Sequence, residues 1–401
     1  MSSHMIISQE TGKRITAADE CVLVKAAYAR NPGSPLLRQR LASLFNLGDA
    51  FDETLALYAS ADIDALSYAE ATLLAYAHLA QEDDAHARRA GAGARVALAS
   101  AENDGQRAAA LALEGKTWTR LGDIAAAEQC LRRALEIDPH NKDACKRLAA
   151  LLIDRDEPGA VIAMTDGLLA QGVGHSRLFG ARILAFARLG EIAAAREMVG
   201  WNVLARRATL ARPPGWASLD AFNAALAQEL LRHPGVRFDR YGTASEQTWR
   251  IDAPATGEAP MVRALLREIE AQVDAHVRDI AGLDHPWARA RPARGTLHCW
   301  CVITESQGFE TWHVHQFGWL SGVYYVQIPD SIAHGTDPGG CIAFGLPEEL
   351  AGAEAAAAFG EELVRPAPGT LMMFPSHSYH RTFPHGAAER RICFAFDIWP
   401  G

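Results

Sequence analysis

No stretch of the 401 residues is apolar for long enough to cross a bilayer, which takes about 20 residues. The opening Met1-Ser-Ser-His-Met5 lacks the apolar run of a secretory signal. Residues 1–4 read as a cloning scar, with Met5 as the expected native start. Concentrated positive charge is also missing. Lys and Arg number 39 against 48 Asp and Glu, a formal net charge of −9, which argues against nucleic acid as a partner. The seven cysteines (21, 130, 145, 299, 301, 341 and 393) are odd in number and scattered, which suits a reducing compartment and an expected cytoplasmic location. Runs of β-branched residues are scarce before residue 207, so a sheet is not expected there. What remains is 49% hydrophobic and 22% charged, an ordinary globular composition, with length for two or three domains.

From about Ile6 to Arg207 the chain is rich in Ala and Leu at helical spacing. Leu121-Gly-Asp123 is followed by Ile124-Ala-Ala-Ala127, and Leu189-Gly-Glu191 by Ile192-Ala-Ala-Ala195, 68 residues later. That is twice a 34-residue period. Gly115 and Trp118 fall on the first helix of a unit starting near Ala108, Gly122-Asp123 make its turn, Ala127 and Ala134 lie on its second helix, and Pro139 ends it. This pattern resembles the tetratricopeptide repeat. Leu47-Gly-Asp49 suggests an earlier helical hairpin off the period. The resemblance implies a helical solenoid whose groove takes a peptide or protein partner. A spacer or a homodimerisation arm is the alternative use of the same helices.

Pro213-Pro214 removes two backbone donors and stops the helical pattern. We therefore expect a helical repeat domain over 5–207 and a second domain over 213–401. Residues 216–232 and 259–280 read as amphipathic helices. From Gly295 onward the texture changes to short apolar runs bounded by Gly, Pro, Asp or Ser: 296–303, 320–328, 340–344, 369–374 and 391–396. These predict a jelly-roll core over about 295–401 with flanking helices, and hence an α + β chain of two domains.

Trp312-His-Val-His-Gln316 places two His two apart, on one face if the segment is a strand. Two such imidazoles can converge on one metal, with His380, beyond Phe374-Pro-Ser-His-Ser-Tyr, as the third ligand. The order is His-x-His, the strand Leu320-Ser-Gly-Val-Tyr-Tyr-Val326, the segment Pro368-Gly-Thr-Leu-Met-Met-Phe-Pro-Ser376, His380, then Glu389-Arg-Arg-Ile392. Together with Gly308-Phe-Glu-Thr-Trp312, Leu219-Asp-Ala-Phe-Asn223 and Gln247-Thr248, it resembles the double-stranded β-helix 2-oxoglutarate oxygenases. Within them it is similar to a bacterial group, including tetratricopeptide-fused members, whose metal motif reads His-x-His where most relatives have His-x-Asp.

That resemblance implies Fe(II), 2-oxoglutarate and O2, with His313, His315 and His380 as metal and catalytic residues. The usual site is two His and a carboxylate, so two arrangements stay open: His315 ligates directly, or Glu310 takes its place. The resemblance also implies an Arg on the last core strand for the distal carboxylate of 2-oxoglutarate. Arg390 and Arg391 both qualify. Arg391 is chosen because Cys393 stands two residues on, where relatives carry Ser, and Arg390 is left to face outward or to pair with Glu389. Tyr325 is expected to donate to the same carboxylate. Trp312, Phe317 and Trp319 border the motif as candidate substrate contacts, with core packing as their other use; His377, like His385, flanks His380 and is either a substrate contact or an ordinary loop residue. Cys299 and Cys301 read as core thiols. The implied activity is hydroxylation of a C–H bond in a peptide or protein brought by the repeats, as in peptide natural-product biosynthesis. The alternatives are the same chemistry on a free small molecule, or an inactive metal-binding scaffold.

Overall fold

The computed structural model describes residues 5–10 and 12–401, so the expected scar at 1–4 lies outside the described residues. The chain divides into two compact units. One holds residues 15–157; the other holds the described residues up to 14 together with 158–401. The division falls about fifty residues before the break at Pro213-Pro214, and each unit is taken by itself.

The unit 15–157 is a run of helices: Ala17–Arg30, Pro35–Leu47, Phe51–Leu57, Tyr68–Leu79, Asp84–Ala99, Asp104–Arg120, Ile124–Ile137 and Lys142–Asp154. Side-chain caps start most of them. Asn103 accepts from the Gln106 amide, Asp123 from that of Ala126 and Asn141 from that of Ala144, each satisfying an amide the first helical turn leaves unpaired. The repeat residues behave as their positions imply. Gly122 turns the chain at φ +79°, and Ala127 and Ala134 are fully buried. A Cβ on Gly115 would stand 2.9 Å from Leu131 Cγ, so glycine sets how closely those helices pack. The Leu47-Gly48-Asp49 hairpin is present, between Pro35–Leu47 and Phe51–Leu57.

The other unit is built on one large sheet and one small one. Its strands are β1 (Ile6–Gln9), β2 (Arg206–Thr209), β3 (Arg237–Phe238), β4 (Ser245–Ile251), β5 (Arg294–Glu310), β6 (Leu320–Gln327), β7 (Ile342–Phe344), β8 (Glu362–Val364), β9 (Thr370–Pro375), β10 (His380–Thr382) and β11 (Arg391–Pro400). The large sheet runs β2-β9-β6-β11-β5-β4-β3, antiparallel throughout, with β1 added parallel to the start of β5. The small sheet is β10-β7-β8. The five apolar runs expected as strands are β5, β6, β7, β9 and β11. Strands β1 to β4, β8 and β10 were not foreseen. They are short, charged or at a sheet margin, so neither an apolar run nor a clean alternation announces them.

Helices flank the sheet. Ser218 caps Leu219–Leu231, and Pro260–Asp279 opens on a proline at its first turn. Tyr324 Oη donates to Asn223 Oδ1 at 2.6 Å, joining the first of these helices to β6. The helices Ser176–Arg188 and Ile192–Val199 continue the repeat pattern in sequence yet pack within this unit: Arg188 Nε donates to Leu350 O at 2.8 Å and Arg196 Nε to Phe359 O at 3.1 Å. The sequence break at Pro213-Pro214 ends the helical texture. Long-range contacts decide the compact unit, and they take in these last helices.

Candidate metal centre

His313 and His315 sit on the connection between β5 and β6, outside any regular strand. This corrects the strand geometry assumed for them. The backbone is held extended by the chain opposite. His313 and His380 exchange both amide–carbonyl bonds, at 3.0 and 3.1 Å, and the His315 amide donates to Ser376 O at 2.9 Å. The result is the one the strand reading sought. The rings of His313 and His315 stack at 5.3 Å and 18°, and the His380 ring lies 4.1 Å from the first and 5.0 Å from the second. One ring nitrogen from each falls within 4.8 Å of the others, a group able to hold a metal ion.

Each ring is anchored through Nδ1. His313 Nδ1 meets Thr311 O at 2.7 Å, His380 Nδ1 meets Ser378 O at 2.9 Å, and His315 Nδ1 meets Asp397 Oδ1 at 2.6 Å. With an acceptor behind each ring, Nδ1 carries the proton and Nε2 keeps its lone pair for a metal. Burial, then the neighbouring imidazoles, lower the His313 pKa to about 3 and that of His380 well below its ordinary value. Both are therefore neutral near pH 7, the form that ligates. Phe374 packs 4.9 Å from the His380 ring and Trp300 lies 5.2 Å from that of His315.

Glu310 is not drawn into this group. Ser245 Oγ donates to its carboxylate at 2.6 Å, and burial raises its pKa. Asp397, whose carboxylate backs His315, was not singled out from the sequence. The signal was available: counting by two along β11 from Arg391 passes Cys393 and Ala395 to Asp397, all on one face.

Arg391 opens β11, opposite Thr304 of β5, and is buried. Its guanidinium carbon lies 5.7 Å from the centre of the Tyr325 ring. Tyr325 pairs with Cys393 across β6 and β11, where a bulge interrupts the register. The three residues chosen for the cosubstrate are thus neighbours. Arg391 Nε and Tyr325 Oη are both buried without a hydrogen-bond partner among the described residues. Two orphaned donors side by side fit a carboxylate, because a buried donor left unpaired costs about 1–3 kcal/mol. Arg390 points away and pairs with Glu305 at 2.6 Å, and not with Glu389.

The four substrate candidates separate. Trp319 is buried, stacked on Trp287 at 4.3 Å, with each indole Nε1 donating to the other residue's carbonyl. His377 is buried against Phe179 at 5.3 Å and bonded to Met198 O at 3.0 Å. Both rings are committed to the core. Trp312 is half-buried beneath the Arg381 guanidinium, 4.7 Å away, and Phe317 is exposed beside Trp399. Cys299 and Cys301 are buried free thiols. The metal connection also has support the sequence did not reveal. Ser176 Oγ donates to Gln316 O at 3.0 Å and Arg177 to Gln316 Oε1 at 2.8 Å, so a repeat-like helix fixes the residue after His315.

Residues 298–397 match the family model described as "Putative 2OG-Fe(II) oxygenase", and residues 119–182 match that of the tetratricopeptide repeat. The chain carries a 2OG-Fe(II) oxygenase domain. That family works with Fe(II), 2-oxoglutarate and O2. No curated protein matches the chain. Similar solved structures include a prolyl-4-hydroxylase from Pseudomonas putida, 18% identical over 52% of this chain and 99% of that one, TM-score 0.34. HygX of Streptomyces hygroscopicus, solved with nickel and 2-oxoglutarate bound, is 12% identical over 51% and 86%, TM-score 0.33. YrrB, a tetratricopeptide protein with a peptide-binding site, is 17% identical over 44% and 91%, TM-score 0.34. No helix among the described residues is long and apolar enough to cross a membrane.

Proposed function

We propose that His313, His315 and His380 hold the Fe(II), that Arg391 and Tyr325 hold the distal carboxylate of 2-oxoglutarate above Cys393, and that the enzyme hydroxylates a C–H bond of a peptide or protein recruited by its helical repeats. The observation that carries the reading is the pairing of two unfinished sites in one unit. Three imidazoles present Nε2 with Nδ1 already bonded, and two buried donors wait unpaired beside one another. Bound together, iron and 2-oxoglutarate couple O2 reduction and release of succinate and CO2 to oxidation of the substrate. The protein's part is placement and shielding. Arg391, in a low-dielectric setting, gives the distal carboxylate a planar two-point partner. Tyr325 adds a neutral donor. Phe374, Phe344 and Trp300 surround the imidazoles with apolar surface that limits water.

The repeats support the peptide reading because such arrays present an extended concave face. The test is succinate release by purified protein with Fe(II), ascorbate and 2-oxoglutarate, alone and with a broad peptide set. Turnover that peptides stimulate, with a gain of 16 Da on one of them, is expected. Absence of both basal and stimulated turnover would sink the reading. Basal turnover stimulated only by free small molecules would remove its peptide half.

A further inference from the structure

Three imidazoles in place of two and a carboxylate leave a divalent ion with its full charge, against walls formed by Phe374 and Trp300. An uncompensated charge in such a setting is costly. We propose that Asp397 is the positioning residue through which this site recovers the missing carboxylate, passing its negative charge to the metal through His315. The inference rests on the three-histidine reading above and adds to it how the third position works.

The three imidazoles are backed unequally. His313 and His380 are backed by main-chain carbonyls, Thr311 O and Ser378 O, which are neutral. His315 alone is backed by a carboxylate, at 2.6 Å, with the two side chains only 9% and 7% exposed. Solvent screening of that pair is therefore weak. A carboxylate behind an imidazole fixes its tautomer and raises the basicity of the far nitrogen. The residue so treated occupies the position where similar oxygenases carry Asp.

Asp397 is itself held in place. Ser321 Oγ donates to the same Oδ1 at 2.6 Å, and Ser321 and Ser376 hydroxyls meet at 2.7 Å. Ser376 O receives the His315 amide, which closes the circuit back to the metal connection. Gly318 belongs to the same device: a Cβ there would collide with Ser376 Oγ and stand 3.1 Å from Asp397 Cγ. The register accounts for the placement, since Asp397 opposes Ser321 across β11 and β6. Glu310, the other acid nearby, spends its carboxylate on Ser245 and backs none of the rings.

The test is Co(II) binding to the metal-free full-length chain, by calorimetry and by the visible spectrum of the bound ion. Asp397→Asn keeps shape and removes charge. We expect affinity to fall about 10- to 100-fold and the Co(II) band to shift, with thermal unfolding of the metal-free protein unchanged. Asp397→Ser serves the same comparison if the Asn variant does not fold. The decisive step is a cycle with His315→Asp, which returns a carboxylate to the metal itself. In that background Asp397→Asn should cost nothing, or improve affinity by relieving repulsion between two acids. The inference is overturned if Asp397→Asn binds Co(II) within threefold of the parent, or if it costs the same in both backgrounds. Failure of the underlying reading looks different: His313→Ala and His380→Ala would then keep the metal.

Discussion

The two units differ in how much polarity they bury. Among the described residues of the helical unit, the buried polar side chains are Thr54, Glu70 and Thr117. Each is answered nearby: Thr54 by Asn46 at 2.7 Å, Glu70 by Arg38 Nε at 2.9 Å and Thr117 by Glu114 O at 2.7 Å. The sheet-bearing unit buries His380, Arg391, Asp397, Ser321, Ser376 and many more, and Arg391 Nε and Tyr325 Oη are among the several buried atoms it leaves unpaired. Burying polar groups opposes folding unless they are bonded. A fold that buries this many polar groups, with two unpaired donors on neighbouring residues that face each other, has room for a ligand as well as for packing. In the helical unit small residues set how closely helices approach.

That contrast is easiest to break at Arg391. If its guanidinium waits for a carboxylate, Arg391→Met removes one side of a buried charge pair, a change worth about 2–5 kcal/mol. The dissociation constant for 2-oxoglutarate should rise roughly 30-fold or more. Tyr325→Phe removes a neutral donor worth about 1 kcal/mol, so about a fivefold rise. Titration of the metal-loaded protein with 2-oxoglutarate measures both. A change under threefold for Arg391→Met would mean the orphaned donors are an accident of packing.

Acid sharpens the comparison next. Burial lowers the pKa of His276 to about 4 and that of His377 to about 3, against about 6.5 in an unfolded chain. As pH falls below 6.5 the unfolded state takes up these protons first. Stability is therefore full above that pH and drains as it drops toward 4 and then 3. For His276 alone the loss is on the order of 3 kcal/mol. His78 of the helical unit is lowered to about 4 by the same cause, but it is partly open to solvent, so its share is smaller. Near-UV circular dichroism, weighted to the tryptophans of the sheet-bearing unit, should be lost at a higher pH than far-UV helical signal. Coincident loss would erase the distinction between the units.

The same contrast explains what could be read from the sequence. Local patterns were legible: the Gly122 turn, five strands with apolar runs, and His-x-His with a later His and Arg. The sites needing long-range register were not. Asp397 lies 82 residues from His315 and is brought to it by the pairing of β11 with β6. Strands β1 and β2 carry no pattern that marks them, because a single neighbour defines each. Trp319 and His377 looked like substrate contacts by proximity along the chain, yet both rings turn into the core, which only the packing of Trp287 and Phe179 reveals.

The smallest effect tests the helical side. Gly115→Ala would place a Cβ 2.9 Å from Leu131 Cγ and Cδ2, and 3.3 Å from Ala127 O. Leu131 is fully buried and has little room to retreat. Crowding of this kind costs about 1–3 kcal/mol, while replacing a mid-helix glycine by alanine returns up to about 1 kcal/mol of helix propensity. Crowding wins by about 1 kcal/mol, a fall of about 3 °C in the melting of a unit this size. The variant's affinity for 2-oxoglutarate should match the parent's, because Gly115 takes part in packing and in nothing on the histidine face. A rise in melting temperature would show that the helices can part at no cost, and small residues would then not be what sets their spacing.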